Sequence, residues 1–296
     1  MFQKKSLGQN FLKSKKVIAD IARAGEIAPG EVVLEAGPGE GILTSALLSA
    51  GAKVIAVEKD RRLISFLKEK FSNEIRSGKL ELIEGDILEF SIFNFQFSNY
   101  KLIANIPYYI TGALIRKFLE AKSPPKLMVI LVQKEVAERI VARDGSPLHL
   151  CHCHKHRQLS KIEKQNLLKL YEKGLEQRCG GKESLLSISV KAYGAPKYIA
   201  TVKAGNFSPA PKVDSAILAI ENISKKFFVE FSEEQFFKIV KLGFAHKRKR
   251  LAGNLKNLYP NIEKILGDLD IDKNARPEDL GIEMWRALTQ ALSDVK

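Results

Sequence analysis

"VLEAGPGEGILT", residues 33–44, decides how this chain is read. Val33 and Leu34 belong to a short apolar run, "EVVLEAG", with the length and composition of a strand buried on both faces. Gly37, Gly39 and Gly41 follow at alternate positions, and an apolar stretch then opens with helical period. A strand that turns through glycines into a helix marks the ligand loop of an α/β sheet, because glycine lets the backbone turn tightly and approach what is bound. A dinucleotide loop has the spacing G-x-G-x-x-G. G-x-G-x-G is one residue short of it, and Glu35 places a carboxylate in front, which suits a cationic ligand better than a pyrophosphate.

Around this loop the alternation continues. "KVIAVEKD" (53–60), "KLELIEGD" (79–86), "YKLIANIP" (100–107) and "KLMVILVQ" (126–133) read as further buried strands. Between them "RRLISFLKEKF" (61–71) and "ITGALIRKFLEA" (110–121) are helical in pattern. Such alternation predicts a doubly wound α/β sheet. "LLSISVKAYG" (185–194) and "KYIATVKAGNF" (197–207), joined at Gly194-Ala195-Pro196, predict an antiparallel hairpin. "SAILAIEN" (215–222) adds a strand, so the parallel sheet is expected to finish in antiparallel ones. "SEEQFFKIVKLGFAHKRKRLAGNLKNL" (232–258) and "GIEMWRALTQAL" (281–292) are helical in period, with Ser232 as the N-cap. The expected organisation is an α/β domain over 1–224 and a small all-helical domain over 225–296.

Residues 146–181 fit neither block and read as an insertion. They hold Cys151, Cys153 and Cys179, all the cysteines of the chain, and His149, His152, His154 and His156. Imidazole and thiolate could hold zinc or copper. The spacing is C-x-C, however, with Cys179 26 residues beyond Cys153, and that is not the spacing of a standard zinc module, so no metal is expected.

The chain has 296 residues, 45% of them hydrophobic, which is the composition of a globular protein with a full-sized core. Its net charge of +14 attracts polyanions, nucleic acid first among them. No stretch reaches the roughly 18 apolar residues of a membrane span, and the first residues lack the apolar region of a secretory signal. With three cysteines there is no disulfide scaffold either. The expectation is a cytoplasmic protein, monomeric and without membrane association.

Glu58 ends the second strand, 17 residues after Gly41, where a carboxylate can accept hydrogen bonds from both hydroxyls of a ribose. Asp86 ends the third strand, placed to meet an adenine amino group. This set, strand by strand, resembles the S-adenosylmethionine-dependent methyltransferases, which implies a Rossmann-like sheet. "NIPY" (105–108) at the end of the fourth strand resembles the motif of enzymes that methylate exocyclic amino groups of bases. The lone pair of such an amine is delocalised into the ring. The side-chain oxygen of Asn105 and the backbone carbonyl of Ile106 can each accept one of its N–H groups and turn the nitrogen towards a tetrahedral shape. Tyr108 can stack on the base, and Pro107 stiffens the loop.

Three more stretches narrow the resemblance. "LGQNFL" (7–12), "NFSPAPKVDSA" (206–216) and "RPEDLGIEMWRAL" (276–288), together with "VQKEVAERI" (132–140), are similar to the ribosomal RNA adenine N6,N6-dimethyltransferases of the KsgA type. The resemblance covers nearly the whole chain apart from 146–181. It implies dimethylation of two adjacent adenosines near the 3′ end of small-subunit rRNA, within a ribosomal subunit precursor. It implies cofactor contacts at Asn10, Leu12, Gly37, Glu58, Asp86 and Asn105, and a target base held by Asn105, Tyr108 and Phe207. The basic run "HKRKR" (246–250) is expected to meet RNA phosphates through Lys247, Arg248, Lys249 and Arg250. Rival readings are a resistance-type methylase of large-subunit rRNA, a non-catalytic assembly factor, and, poorly supported by the glycine spacing, a nicotinamide dehydrogenase.

Overall fold

The structure, a computed structural model, describes residues 10–91, 99–141, 182–246 and 248–293. Its first strand, β1 (Phe11–Leu12), precedes helix α1 (Lys15–Ala24), which Ser14 caps by accepting from the Val17 amide and which buries Val17, Ile18 and Ile21. The apolar runs then form β2 (Val32–Ala36), β3 (Lys53–Glu58), β4 (Leu80–Glu84), β5 (Tyr100–Ala104) and β6 (Leu127–Gln133). Helices α2 (Ile42–Ser49), α3 (Arg61–Lys70), α4 (Ser72–Arg76) and α5 (Thr111–Leu119) connect these strands, and α6 (Lys134–Val141) follows the last. All of β5 is buried, as a strand covered on both faces must be.

Parallel pairing runs β4-β3-β2-β5-β6, so successive crossovers leave β2 in opposite directions, towards β3 and towards β5. That reversal opens a crevice at the C-terminal strand ends, the place where doubly wound sheets bind ligands. Antiparallel strands complete the sheet, as the sequence predicts, but not through the predicted hairpin. Residues 185–193 form helix α7 (Leu185–Tyr193) instead of a strand. The edge pair is β7 (Ala195–Val202) with β9 (Ser215–Glu221), which lies between β7 and β6. The two-residue strand β8 (Phe207–Ser208) pairs with β1.

The reason for the helix lies at its start. Ser184 and Ser187 cap each other's backbone amides reciprocally, at 3.1 and 2.7 Å. The Ser187 hydroxyl donates to buried Glu183 at 2.6 Å, and Lys191, two turns on, pairs with Glu183 at 2.7 Å. The alternation of Leu186, Ile188, Val190 and Ala192 imitates a strand, but these polar closures are available only to a helix.

The described residues of Met1–Glu138 and Tyr193–Phe227 form one compact unit, and those of Arg139–Ala192 and Phe228–Lys296 a second. Residues 182–192 thus group with the helical unit, whereas a division at 224 placed them in the first. The second unit also contains α8 (Glu233–Gly243), α9 (Leu251–Leu255), α10 (Ile262–Asp268) and α11 (Ile282–Ser293), and Ser232 caps α8 as expected. Trp285 and Phe236 are fully buried there. The long helical run read from 232 to 258 is broken after Gly243, a position that must be glycine because a Cβ there would run into the Trp285 ring. Asn254 closes the end of α8 by donating to the carbonyl oxygens of Gly243 (2.5 Å) and His246 (3.2 Å). The described part of the basic run, Arg248 to Arg250, therefore lies in the exposed connection between α8 and α9 instead of on a helix face, and Lys247 is outside the described residues. So is 146–181, the expected insertion. Among the described residues no helix is long and apolar enough to cross a membrane.

Candidate active site

The glycine loop after β2 is built on positive φ angles, +68° at Gly37, +59° at Gly39 and +73° at Gly41. Gly41 starts α2 and has no room for a side chain, because a Cβ there would lie 2.5 Å from the Phe71 ring. The Gly37 amide donates to the Val57 carbonyl (2.9 Å), which ties the loop to the end of β3. Glu58 fixes the loop from the same side. One of its oxygens accepts from the Gly39 amide (3.1 Å) and the other from the Asp60 amide (2.9 Å). Burial raises the Glu58 carboxyl above its ordinary range, and the amides work against that rise. Each oxygen keeps a lone pair for a further donor.

After β4, Asp86 accepts from the Leu88 amide (2.8 Å) and from Lys59 (2.7 Å). The Lys59 ammonium holds the Asp86 carboxyl below its ordinary range, and the Leu88 amide adds to this. The position is ionised and oriented before any ligand arrives.

β5 delivers Asn105, whose side chain makes no hydrogen bond among the described residues. Pro107 then leads into a single 3₁₀ turn over Tyr108–Ile110. The Tyr108 hydroxyl meets the Ser215 hydroxyl of β9 at 2.5 Å. Burial raises the phenol above its usual range, against the effect of that bond. Ser215 is itself fully buried. It occurs in the "PAPKVDSA" stretch, but nothing in the spacing shows that it holds Tyr108, 107 residues away.

The distant N-terminal motif arrives by strand pairing. β1 and β8 align Leu12 with Phe207 and Phe11 with Ser208, and the Lys13 amide donates to the Asn206 carbonyl at 2.8 Å. All the residues expected to contact cofactor or base, Asn10, Leu12, Gly37, Glu58, Asp86, Asn105, Tyr108 and Phe207, line one cavity of about 250 Å³. Phe11, Ile18, Lys59, Ile87, Leu88 and Tyr109 line it as well, and these were not singled out from the sequence. The flat ring of Phe11 lies 3.1 Å from where a Cβ on Gly39 would be, so β1 and the glycine loop press together.

Glu35 departs from the pattern of paired groups. It is 0% exposed, and the neighbouring Thr44 hydroxyl, which lowers its pKa against the larger effect of burial, does not reach full hydrogen-bond geometry with it. Burial, with the nearby Glu58 charge, pushes its carboxyl up to about 8. Among the described residues no cluster of His, Cys, Asp and Glu is arranged to hold a metal.

A mostly parallel sheet, a glycine loop at its switch point, carboxylates at the next two strand ends and an Asn-x-Pro-Tyr turn at the fourth define a Rossmann-like methyltransferase. The chain belongs to the ribosomal RNA adenine dimethylase family, which it matches over residues 2–153 and 158–294. Between those limits only 154–157 are unmatched, so the match enters the stretch expected as an insertion from both sides.

Ribosomal RNA small subunit methyltransferase A of Dehalococcoides mccartyi is 38% identical over 291 residues, covering 96% of this chain and 87% of that protein. The protein of the same name from Lactobacillus delbrueckii subsp. bulgaricus is 36% identical, covering 99% and 91%. Among solved structures, the 23S rRNA methyltransferase ErmE superposes with a TM-score of 0.69 at 26% identity, covering 96% of this chain and all of that one. A dimethyladenosine transferase from Plasmodium falciparum gives the same score and identity, covering 94% and 95%.

Proposed function

We propose that this chain transfers methyl groups from S-adenosylmethionine to N6 of two adjacent adenosines near the 3′ end of small-subunit rRNA, giving N6,N6-dimethyladenosine at each. The observation that carries this reading is the single cavity shared by Glu58, Asp86, Asn105, Tyr108 and Phe207, in a chain of the adenine dimethylase family. The natural partner is small-subunit rRNA within a ribosomal subunit precursor, in the cytoplasm where such subunits assemble.

The residues present fit the cofactor. Glu58 retains lone pairs at the strand end where a ribose would lie, and Asp86 is ionised to accept from an adenine amine. A side chain at Gly37 would project towards Ile106 and the Asn105 carbonyl, into the cavity. Asn10, Leu12, Gly37, Glu58, Asp86 and Asn105 would hold the group. When bound, it supplies a methyl on a sulfonium, an electrophile that needs no further activation.

The chain's own task is to make a poor nucleophile adequate. The Asn105 side-chain oxygen and the Ile106 carbonyl accept the two N–H groups of the adenine amine, so its lone pair leaves the plane of the ring. Among the described residues the Asn105 side chain makes no other hydrogen bond that recruiting it would cost. Tyr108, pinned by Ser215, and Phe207, held in β8, offer the base two aromatic faces, each stack worth roughly 1–3 kcal/mol. The Pro107 ring keeps the turn stiff. The amine proton becomes acidic once the methyl is transferred, so positioning and electrostatics carry the rate without a strong base. Arg248, Lys249 and Arg250, with Lys247, supply phosphate contacts that are sensitive to salt and indifferent to sequence.

The test is transfer of labelled methyl to small ribosomal subunits that lack the adenine methyls, with the digested nucleosides identified by mass. N6,N6-Dimethyladenosine in small-subunit RNA is expected, and Asn105→Ala should abolish it. With large subunits offered in a parallel reaction, methylation of their RNA alone would instead favour the resistance-type activity. Unchanged transfer by Asn105→Ala would refute the role given to that amide.

A further inference from the structure

The 3₁₀ turn after Pro107 carries two tyrosines, and they face different surroundings. With three residues per turn, consecutive side chains point about 120° apart. Tyr108 is half-buried and tied to Ser215, while Tyr109 is 69% exposed and its hydroxyl makes no hydrogen bond among the described residues. Tyr109 nevertheless lines the same cavity, so its ring stands at the rim. The other large hydrophobic residues exposed among the described ones are Ile199, Val213, Val229 and Leu258, none of them aromatic and none lining the cavity.

We infer that Tyr109 is a stacking platform for the base beside the target adenosine. This rests on the proposed function. A base that enters the cavity leaves the stack, and the nucleotide next to it loses a neighbour on that side. An exposed aromatic face at the cavity mouth replaces that neighbour without hydrogen-bond readout, as single-stranded RNA recognition by aromatic residues does. The target base has its own faces in Tyr108 and Phe207. The rim ring serves the flanking base, and with two adjacent adenosines as substrate that base is itself an adenine in each round.

The experiment compares Tyr109→Ala, Tyr109→Leu and Tyr109→Phe in the full chain. The ring is exposed, so the fold should match the parent, and the cofactor dissociation constant measured for each variant separates any effect on the cofactor from the effect on RNA. KM for undermethylated small subunits should rise roughly tenfold in the Ala and Leu variants and return towards the parental value with Phe. A second readout uses a short RNA with the two adenosines, one replaced by fluorescent 2-aminopurine, and S-adenosylhomocysteine to prevent turnover. Fluorescence of the probe at the flanking position should be quenched by the parent and Tyr109→Phe but not by Tyr109→Ala. Equal KM for all variants, or quenching that survives Tyr109→Ala, would overturn the inference while leaving the proposed function intact. Failure of the parent to methylate small subunits would overturn the proposed function, and this inference with it.

Discussion

Ser215→Ala isolates one hydrogen bond that the reaction is argued to need. Ser215 is buried on β9, and its backbone pairs with Gln133 of β6 and Val202 of β7, so the ladder survives the substitution. What disappears is the 2.5 Å contact with the Tyr108 hydroxyl. A hydroxyl left without its partner in a half-buried setting costs about 1–3 kcal/mol. The phenol can escape part of that cost only by rotating the ring away from the cavity. If the whole penalty falls on the transition state, kcat/KM for subunits drops by roughly 5- to 150-fold. The cofactor dissociation constant should change little, because the bond orients the ring given to the base. A double-mutant cycle with Tyr108→Phe supplies the decisive comparison. Both single variants remove the same bond, so the double variant should be no worse than the poorer single one, a coupling of at least about 1 kcal/mol. Thermal unfolding run alongside separates catalysis from stability. Strictly additive losses, or Ser215→Ala within twofold of the parent, would refute the argument that this bond positions Tyr108.

Other outcomes follow from the same site. Glu35 is neutral in both folded and unfolded chain below pH 4.5, and between there and about 8 only the unfolded chain ionises it. Stability of the cofactor-free protein should therefore fall across that window, by up to about 5 kcal/mol for the full shift, and Glu35→Gln should flatten the profile. Parallel urea-midpoint profiles for the two proteins would refute this. Gly41→Ala combines φ of +73° with contacts of 2.5 and 2.8 Å to Phe71 and Leu67, and should cost about 2–5 kcal/mol by urea unfolding. A loss under 1 kcal/mol would show that the loop rearranges. Removing both charges in Arg248→Ala/Lys249→Ala should lower the slope of log affinity against log salt for rRNA by about one per cation. An unchanged slope would remove this connection from the RNA-binding surface.

How far the sequence goes depends on the range of the interactions involved. The central parallel strands were legible because burial on both faces forces continuous Val, Ile and Leu runs, whereas β4, at the sheet edge, interrupts its apolar residues with exposed Glu81 and Glu84. The ligand loop was legible for the same local reason, since Gly37, Gly39 and Gly41 take up φ angles that other residues resist. Residues 185–193 were misread because alternation of apolar residues is also local, and it pointed the wrong way. The Ser184–Ser187 cap and the Glu183–Lys191 pair close only in a helix, and periodicity does not record them. The need for glycine at 243 is hidden for a similar reason, since the Trp285 ring that excludes a Cβ there arrives from about forty residues away.

By itself, then, the sequence determined the five parallel strands, the order of their strand-end motifs and the residue types able to bind a methyl donor and an amine. Their assembly into one cavity was decided by tertiary structure alone. Leu12 lies against Phe207, and Tyr108 is held by Ser215, through contacts between residues more than a hundred positions apart in the chain. Such pairings arise from the topology of the sheet, which brings β1 to β8 and places β9 beside β6. No local preference of the residues concerned encodes them.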